Sequence, residues 1–196
     1  MLEELIQKNR SYRRFDQNYP VVLTTLVELV DLARLSPSSR NLQALKFYLS
    51  ADADTNNIIF PHLGWAGYLK NWSGPTEKER PTGYIIIIND LNIGVAQGAD
   101  EGIAALAILL GAVEKGFGGC IIGTIAHQEK LSSSLELALL HKIKLIVALG
   151  KPAEKVQLLG MLNQDGDIRY WRDYQGIHHV PKRRLADIIL PGGTNE

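Results

Sequence analysis

The chain has little that does chemistry unaided. It holds one cysteine, Cys120, in 196 residues. No intrachain disulfide can form, which fits a reducing compartment. Neither charge is in excess: Lys plus Arg and Asp plus Glu are both 21. General nucleic-acid binding needs a basic surface, so no nucleic-acid partner is expected. The longest apolar run, Gly102 to Val113, is too short to span a bilayer and reads as a helix buried on all sides. The N-terminus, "MLEELIQKNR", is amphipathic and charged, unlike the apolar core of a signal peptide. A soluble, cytoplasmic protein with no membrane partner is expected.

Familiar catalytic patterns are missing too. There is no C-x-x-C, no H-E-x-x-H and no G-x-S-x-G. "GFGGCIIG" has the wrong spacing for a dinucleotide fingerprint. His178 and His179 are adjacent; on a strand they face opposite sides, so no metal site is expected. No side chain stands out as catalytic, and the hard chemistry is left to a bound cofactor.

What is present suits one folded body. The chain is 45% hydrophobic, without repeats or linkers, and reads as a single domain over residues 1–196. Apolar spacing predicts a helix over residues 2–9 and another from Thr24 to Leu35, capped by Thr24 or Thr25. Pro37 ends the second, because it disfavours helix at Ser36. "KFYLS", "YIIIIND", "GGCIIGTI" and "IKLIVALG" read as strands, "YIIIIND" as a central one. A long helix runs from about Gly98 to Lys115, stopping at Gly116, and a further helix starts near His127. Gly176 marks a hairpin. Helices and strands in this mixed order predict an α+β fold around one sheet. Residues 60–81, with two tryptophans among prolines and glycines, read as an ordered excursion over a pocket.

Charge is concentrated in two places. "NRSYRRF" sets Arg10, Arg13 and Arg14 within five positions, and "PKRR" brings Lys182, Arg183 and Arg184 together. Arginine offers a rigid donor fork that suits phosphate oxygens. Either the clusters converge on one phosphate or they are two solvated patches. Trp65, Tyr68 and Trp72, at i, i+3 and i+7, share one face if helical. That face packs in the core or lines a substrate pocket. Cys120, in an apolar strand, reads as a buried inert thiol.

Four segments, in order, resemble FMN-dependent nitroreductases. "RSYRRF" is similar to the family's R-S-x-R-x-F, and "ARLSPSSRNLQALKF" to its A-R-x-A-P-S-x-x-N-x-Q-P-W-x-F. "DEGIAALAILLGAVEKGFGGCIIGTI" resembles its central helix and glycine-rich strand, and "IVALGKPAE" its I-x-x-G-x-P-x-E segment. The resemblance implies a mostly antiparallel central sheet flanked by helices. It implies an intertwined homodimer whose C-terminal tail reaches the partner, with an FMN at each of two sites between subunits.

By the same resemblance, Arg10, Ser11 and Arg13 hold the phosphate, ribityl chain and polar edge of the flavin, and Arg14 occupies a variable position. Lys182 and Arg183 complete the phosphate site. Pro37, Ser38, Ser39 and Asn41 reach the flavin from the other subunit. Gly118, Gly119 and Cys120 are expected at the flavin, the glycines letting backbone approach the flat ring. Arg40, in the loop facing the flavin, joins Trp65, Tyr68 and Trp72 as candidate pocket residues. Ala44 and Leu45 stand where the family often has Pro-Trp, a departure that bears on pocket shape rather than fold.

The activity implied is a two-step exchange. NAD(P)H reduces the flavin, and the flavin then reduces a nitroaromatic, a quinone or a similar small acceptor. Specialised reductive or flavin-modifying chemistry is the alternative within the family, and a non-enzymatic flavin-binding protein the alternative outside it.

Overall fold

The computed structural model describes residues 1–97, 99–162 and 166–190. The chain divides into two compact units. The first comprises Met1–Trp65 and Ser73–Ala153; the second comprises Ala66–Trp72 and the chain from Glu154 onward.

The first unit is built on a five-stranded sheet. Its centre is β3 (Gly83–Asp90), paired antiparallel with β2 (Leu45–Ser50) on one side and β5 (His141–Pro152) on the other. β5 also pairs antiparallel with β4 (Gly118–Ile122) and, at its end, with the short β1 (Phe15–Asp16). β3 is buried along its whole length, as its β-branched run dictates.

Its two faces feed two cores. Ile85 and Ile87 pack with α2 (Leu23–Leu35) and α4 (Asp100–Glu114) through Leu26, Leu29, Ala105 and Ile108. Tyr84, Ile86 and Ile88 point the other way, packing with Ile59 of α3 (Ala53–Ile59) and Leu131 of α5 (Gln128–Ser134). The result is helix, sheet, helix: an α+β unit in three layers. α1 (Leu2–Lys8) precedes it.

The second unit is small. β6 (Val156–Gly160) pairs parallel with β8 (His178–Lys182), and β7 (Trp171–Arg172) pairs antiparallel with β8 across a hairpin. Gly176, at φ 79, makes the turn. The four-residue α6 (Leu185–Ile188) follows.

Several expectations change. α2 is preceded by Val22, with no side-chain cap, so neither Thr24 nor Thr25 caps it. Residues 65–72 are not helical. Ala66 takes φ 39, and two turns follow, Leu69 N–H to the Ala66 carbonyl and Trp72 N–H to that of Leu69. Gly64, Gly67 and Gly74 around them weaken helix there. α4 is not buried on all sides of the single chain: Leu106 is 44% exposed. α3 and β6 were not foreseen.

Candidate functional site

α1 ends where Asn9 turns extended. Arg10 then folds back, its Nη2 donating to the Ile6 carbonyl at 2.5 Å, and so satisfies a free carbonyl of the last turn. The chain runs on beside β4. Ser11 forms a parallel bridge with Gly119, and the Tyr12 N–H donates to the Gly119 carbonyl at 3.0 Å. Arg13 Nη1 reaches the Ser11 carbonyl at 3.2 Å. The fold therefore brings Arg10, Ser11 and Arg13 to Gly118, Gly119 and Cys120.

The arginines differ. Arg14 lies 3.6 Å from the Glu79 carboxylate. Arg10 has no carboxylate partner among the described residues, and its buried Nε has no hydrogen-bond partner. Burial holds its guanidinium below the ordinary arginine value, with Tyr12 acting weakly the other way. A partly desolvated cation with an unused donor suits an anionic ligand.

The glycines also have a packing role of their own. A Cβ at Gly118 would meet the Tyr12 ring at 2.6 Å and Pro152 at 2.8 Å; one at Gly119 would meet the Ala148 carbonyl at 2.5 Å. The chain's own packing requires both, with no appeal to a ring lying on them. Cys120 is a buried thiol, in no disulfide, packed in the second core.

The second group lies elsewhere. After α2, Ser39–Asn41 forms a tight 3-10 turn, in which Arg40 and Asn41 both take φ 54. Gln43 follows at φ 53. Left-handed backbone is tolerated by asparagine but unusual for arginine and glutamine, and such strain needs support. Asp100, buried at the first turn of α4, provides it: Oδ1 accepts the Ser39 N–H at 2.8 Å and Oδ2 the Gln97 N–H at 3.2 Å. Ser38 Oγ accepts the Gln43 N–H at 3.3 Å. Pro37, Ser38 and Asp100 line a small cavity of about 150 Å³ beneath. Arg40 and Asn41 are exposed.

α4 separates the two groups. Ser39 is tied to its first residue, and Gly118 begins beyond its last. At 1.5 Å per residue the helix between them is about 21 Å long. Within one chain, then, Arg10–Arg13 and Pro37–Asn41 do not form a single compact pocket.

Of the aromatic candidates, Trp65 belongs to the first unit. It packs against the second core, 5.8 Å from the Phe60 ring, and the backbone of Gly74 lies against it. Tyr68 and Trp72 belong to the second unit, where Tyr68 sits 5.0 Å from the Tyr170 ring and Trp72 lies under the Arg172 guanidinium at 4.8 Å. Lys182 ends β8, and Arg183 follows; both are exposed. His178 is buried, whereas His179 Nε2 meets Asp173 Oδ2 at 2.8 Å, as opposite faces of a strand require. Among the described residues no group of His, Cys, Asp and Glu could hold a metal, and no helix is long and apolar enough to cross a membrane.

Sequence reasoning overlooked Asp100 and Tyr12. Asp100 was legible only as an acid in a helix's first turn, and Tyr12 only as a ring between arginines.

Residues 6–68 match the model of the nitroreductase family. An oxygen-insensitive NADPH nitroreductase of Helicobacter pylori is 37% identical over 59 residues, 30% of this chain and 28% of the relative. A nitroreductase family protein of Streptococcus pneumoniae superposes with a TM-score of 0.66 at 16% identity, over 84% of this chain and 97% of that one. These findings support the nitroreductase family. A nitroreductase in complex with FMN from Exiguobacterium sibiricum shares the fold at a TM-score of 0.64 and 14% identity, over 79% of this chain and 89% of that one. The chain spans under a third of the length of the Helicobacter relatives it matches in sequence. The family match, over residues 6–68, covers the end of α1, the arginine segment, α2 and the Pro37–Asn41 loop; the fold match extends through most of the chain.

Proposed function

We propose that this chain is an NAD(P)H-dependent flavoprotein oxidoreductase that holds FMN between two copies of itself. In each copy residues 1–196 work as one domain. The observation that carries this reading is the pinning of Arg10–Arg13 to β4 at Gly119, which gathers fixed positive charge and an exposed hydroxyl on rigid backbone.

The donor set fits the cofactor. Arg10 has an unused buried donor, and Arg13 and Ser11 stand beside it. A flavin phosphate carries close to two negative charges, which paired arginines meet with charge-assisted bonds. The distance along α4 supports sharing: a flavin that met Arg10–Arg13 of one copy would meet the Pro37–Asn41 loop of the other. Lys182 and Arg183 would add charge at the phosphate. Arg40 would face the acceptor side, with Tyr68 and Trp72 as further candidates for the pocket wall; Trp65 is better accounted for as packing.

When bound, FMN would supply the redox chemistry that links NAD(P)H oxidation to reduction of a nitroaromatic, quinone or similar acceptor in alternate half-reactions. The protein's residues bind and orient. The arginines fix the phosphate, and the strained, Asp100-anchored loop presents polar groups in a set geometry. No side chain is assigned as proton donor.

The test is direct. Purified protein should be yellow or take up FMN. Its colour should bleach with NADH or NADPH and return with a nitroaromatic. A protein that cannot be loaded with FMN overturns the reading, and one that binds FMN without bleaching is a flavin-binding module instead.

A further inference from the structure

The turn that carries Arg40 is fixed on both sides of it. The Ser39 N–H donates to Asp100 Oδ1 at 2.8 Å, the Asn41 N–H to the Ser38 carbonyl at 2.9 Å and the Leu42 N–H to the Ser39 carbonyl at 3.0 Å. Within it Arg40 stands at φ 54 and ψ 16. Left-handed backbone crowds a Cβ, and glycine or asparagine adopts it more easily. An arginine is held there at a cost, and backbone outliers of this kind gather at functional sites.

The Arg40 side chain is left open. Arg14, Arg34, Arg169, Arg172 and Arg184 each lie within 3.6 Å of a carboxylate. Arg80 is held by Asn57 Oδ1 at 3.3 Å and by the Phe60 ring. Arg40 is exposed, and its guanidinium meets no carboxylate, hydrogen-bond acceptor or ring among the described residues. An exposed arginine alone is ordinary surface. Here a strained, anchored turn fixes where the side chain leaves the backbone, and nothing in the chain takes the charge it presents.

The chemistry narrows what would take it. A guanidinium is a planar donor fork that fits a carboxylate or a phosphate. Ser38, Ser39, Asn41, Leu42 and Gln43 around it are uncharged, and both Asp100 oxygens already accept backbone N–H groups. In the proposed shared site, on which this reading depends, the turn faces the flavin of the other copy. We propose that Arg40 is a specificity residue: it binds an anionic group, carboxylate or phosphate, on the small molecule that meets the flavin. That anion has two possible sources, the 2′-phosphate that distinguishes NADPH from NADH and a carboxylate on the acceptor.

Calorimetry on the FMN-loaded full chain compares NADP+ with NAD+ and benzoate with benzamide. In at least one pair the member with the extra anion should bind about tenfold more tightly or better, the worth of a charge-assisted bond. The pair that shows the margin identifies the source. Added salt should shrink the margin. Arg40→Gln should abolish it, and Arg40→Gly should do the same without lowering Tm, because glycine takes φ 54 freely. Arg34→Gln removes an arginine that already faces Asp31 and should keep the margin. In turnover, the matching kcat/KM ratio, NADPH over NADH or 4-nitrobenzoate over 4-nitrobenzamide, should fall in Arg40→Gln by the same factor. No margin in either pair, or a margin that survives both Arg40 variants, overturns the proposal. So does a loss of FMN in Arg40→Gln as large as in Arg13→Ala, which would place the cation on the flavin itself. A chain that takes up no FMN overturns the oxidoreductase reading and this one together, whereas FMN-loaded protein without a margin overturns this one alone.

Discussion

The Asp100 carboxylate, 4% exposed, accepts the backbone N–H of Ser39 at 2.8 Å and ties the first turn of α4 to the loop bearing Arg40 and Asn41. Its second oxygen takes the Gln97 N–H. One buried side chain therefore supports a turn whose backbone is left-handed at three of four successive residues.

Asp100→Ala should release that turn. Losing buried charge-assisted bonds should cost about 2–3 kcal/mol of stability, read by thermal or denaturant melts. FMN affinity should fall as well, although Asp100 is not assigned to the flavin. Asp100→Asn keeps an acceptor and should lie between. A melt unchanged in Asp100→Ala would show that the turn holds its shape unaided.

The arginines should separate by role. Arg13→Ala and Arg10→Ala should each weaken FMN by about one to two decades, the worth of a charge-assisted bond. Arg14→Ala, whose guanidinium faces Glu79, should leave FMN affinity within a few-fold. Titrating apoprotein and following flavin fluorescence decides it; equal losses at all three positions would remove the motif-based assignment.

Gly118→Ala probes the Tyr12 contact. The new methyl would press on the Tyr12 ring and on Pro152. Overpacking of this kind costs about 1–3 kcal/mol. Because Tyr12 stands between Ser11 and Arg13, displacing it should also lower flavin content. Stability lost with FMN content intact would separate the glycine from the site.

Much of the fold was legible. β3 announces itself through four consecutive isoleucines, α4 through its apolar run and the Gly116 stop, and the hairpin through Gly176. α3 was missed because "ADTNNII" has weak periodicity, although Asp52 sets its start by accepting the Thr55 N–H at 2.8 Å. The aromatic segment was misread because i, i+3, i+7 spacing says nothing when glycines break the helix that would give it meaning. In the candidate site, the basic and polar residues are assigned from motifs. What could not be read was tertiary: that Asp100 lies under Ser39 and Tyr12 against Gly118 depends on α4 lying across the sheet.

Asp52 also gives a pH prediction. Backbone donors, Thr55 first, hold its carboxyl below the usual aspartate value. A lowered folded-state pKa adds stability above the unfolded value, and that stability is lost as pH falls through the folded value. Asp52→Ala should therefore cost about 1 kcal/mol at neutral pH and progressively less in acid below the ordinary aspartate range. An equal cost at neutral and strongly acidic pH would mean that the carboxylate's charge is not what caps α3.

The largest consequence of the proposed shared site is that the single chain is only half of it. Apolar side chains stand open where a second copy would cover them. Val27 on α2 and Leu106 on α4 are exposed, and so are Leu185, Ile188 and Ile189 near the end of the described chain. Leu190 is 86% exposed. A tail this apolar is stabilised only by burial against something, and the partner's surface is the occupant we propose. Dimerisation and FMN binding would then reinforce each other by mass action, since each favours the same assembled state. Light scattering should find a dimer whose interface lies in the obligate range, above about 2,000 Å². Deleting the residues after Leu185 should lower both dimer stability and the flavin-to-protein absorbance ratio, though none of them is assigned to the cofactor; residues 191–196 of that deletion lie outside the described residues. Leu106→Asp leaves the tail intact and places a charge on the open face of α4. It should dissociate the dimer and release FMN together. A full-length monomer carrying stoichiometric FMN would overturn the shared site, and a truncated protein that stays dimeric and fully yellow would remove the tail from it.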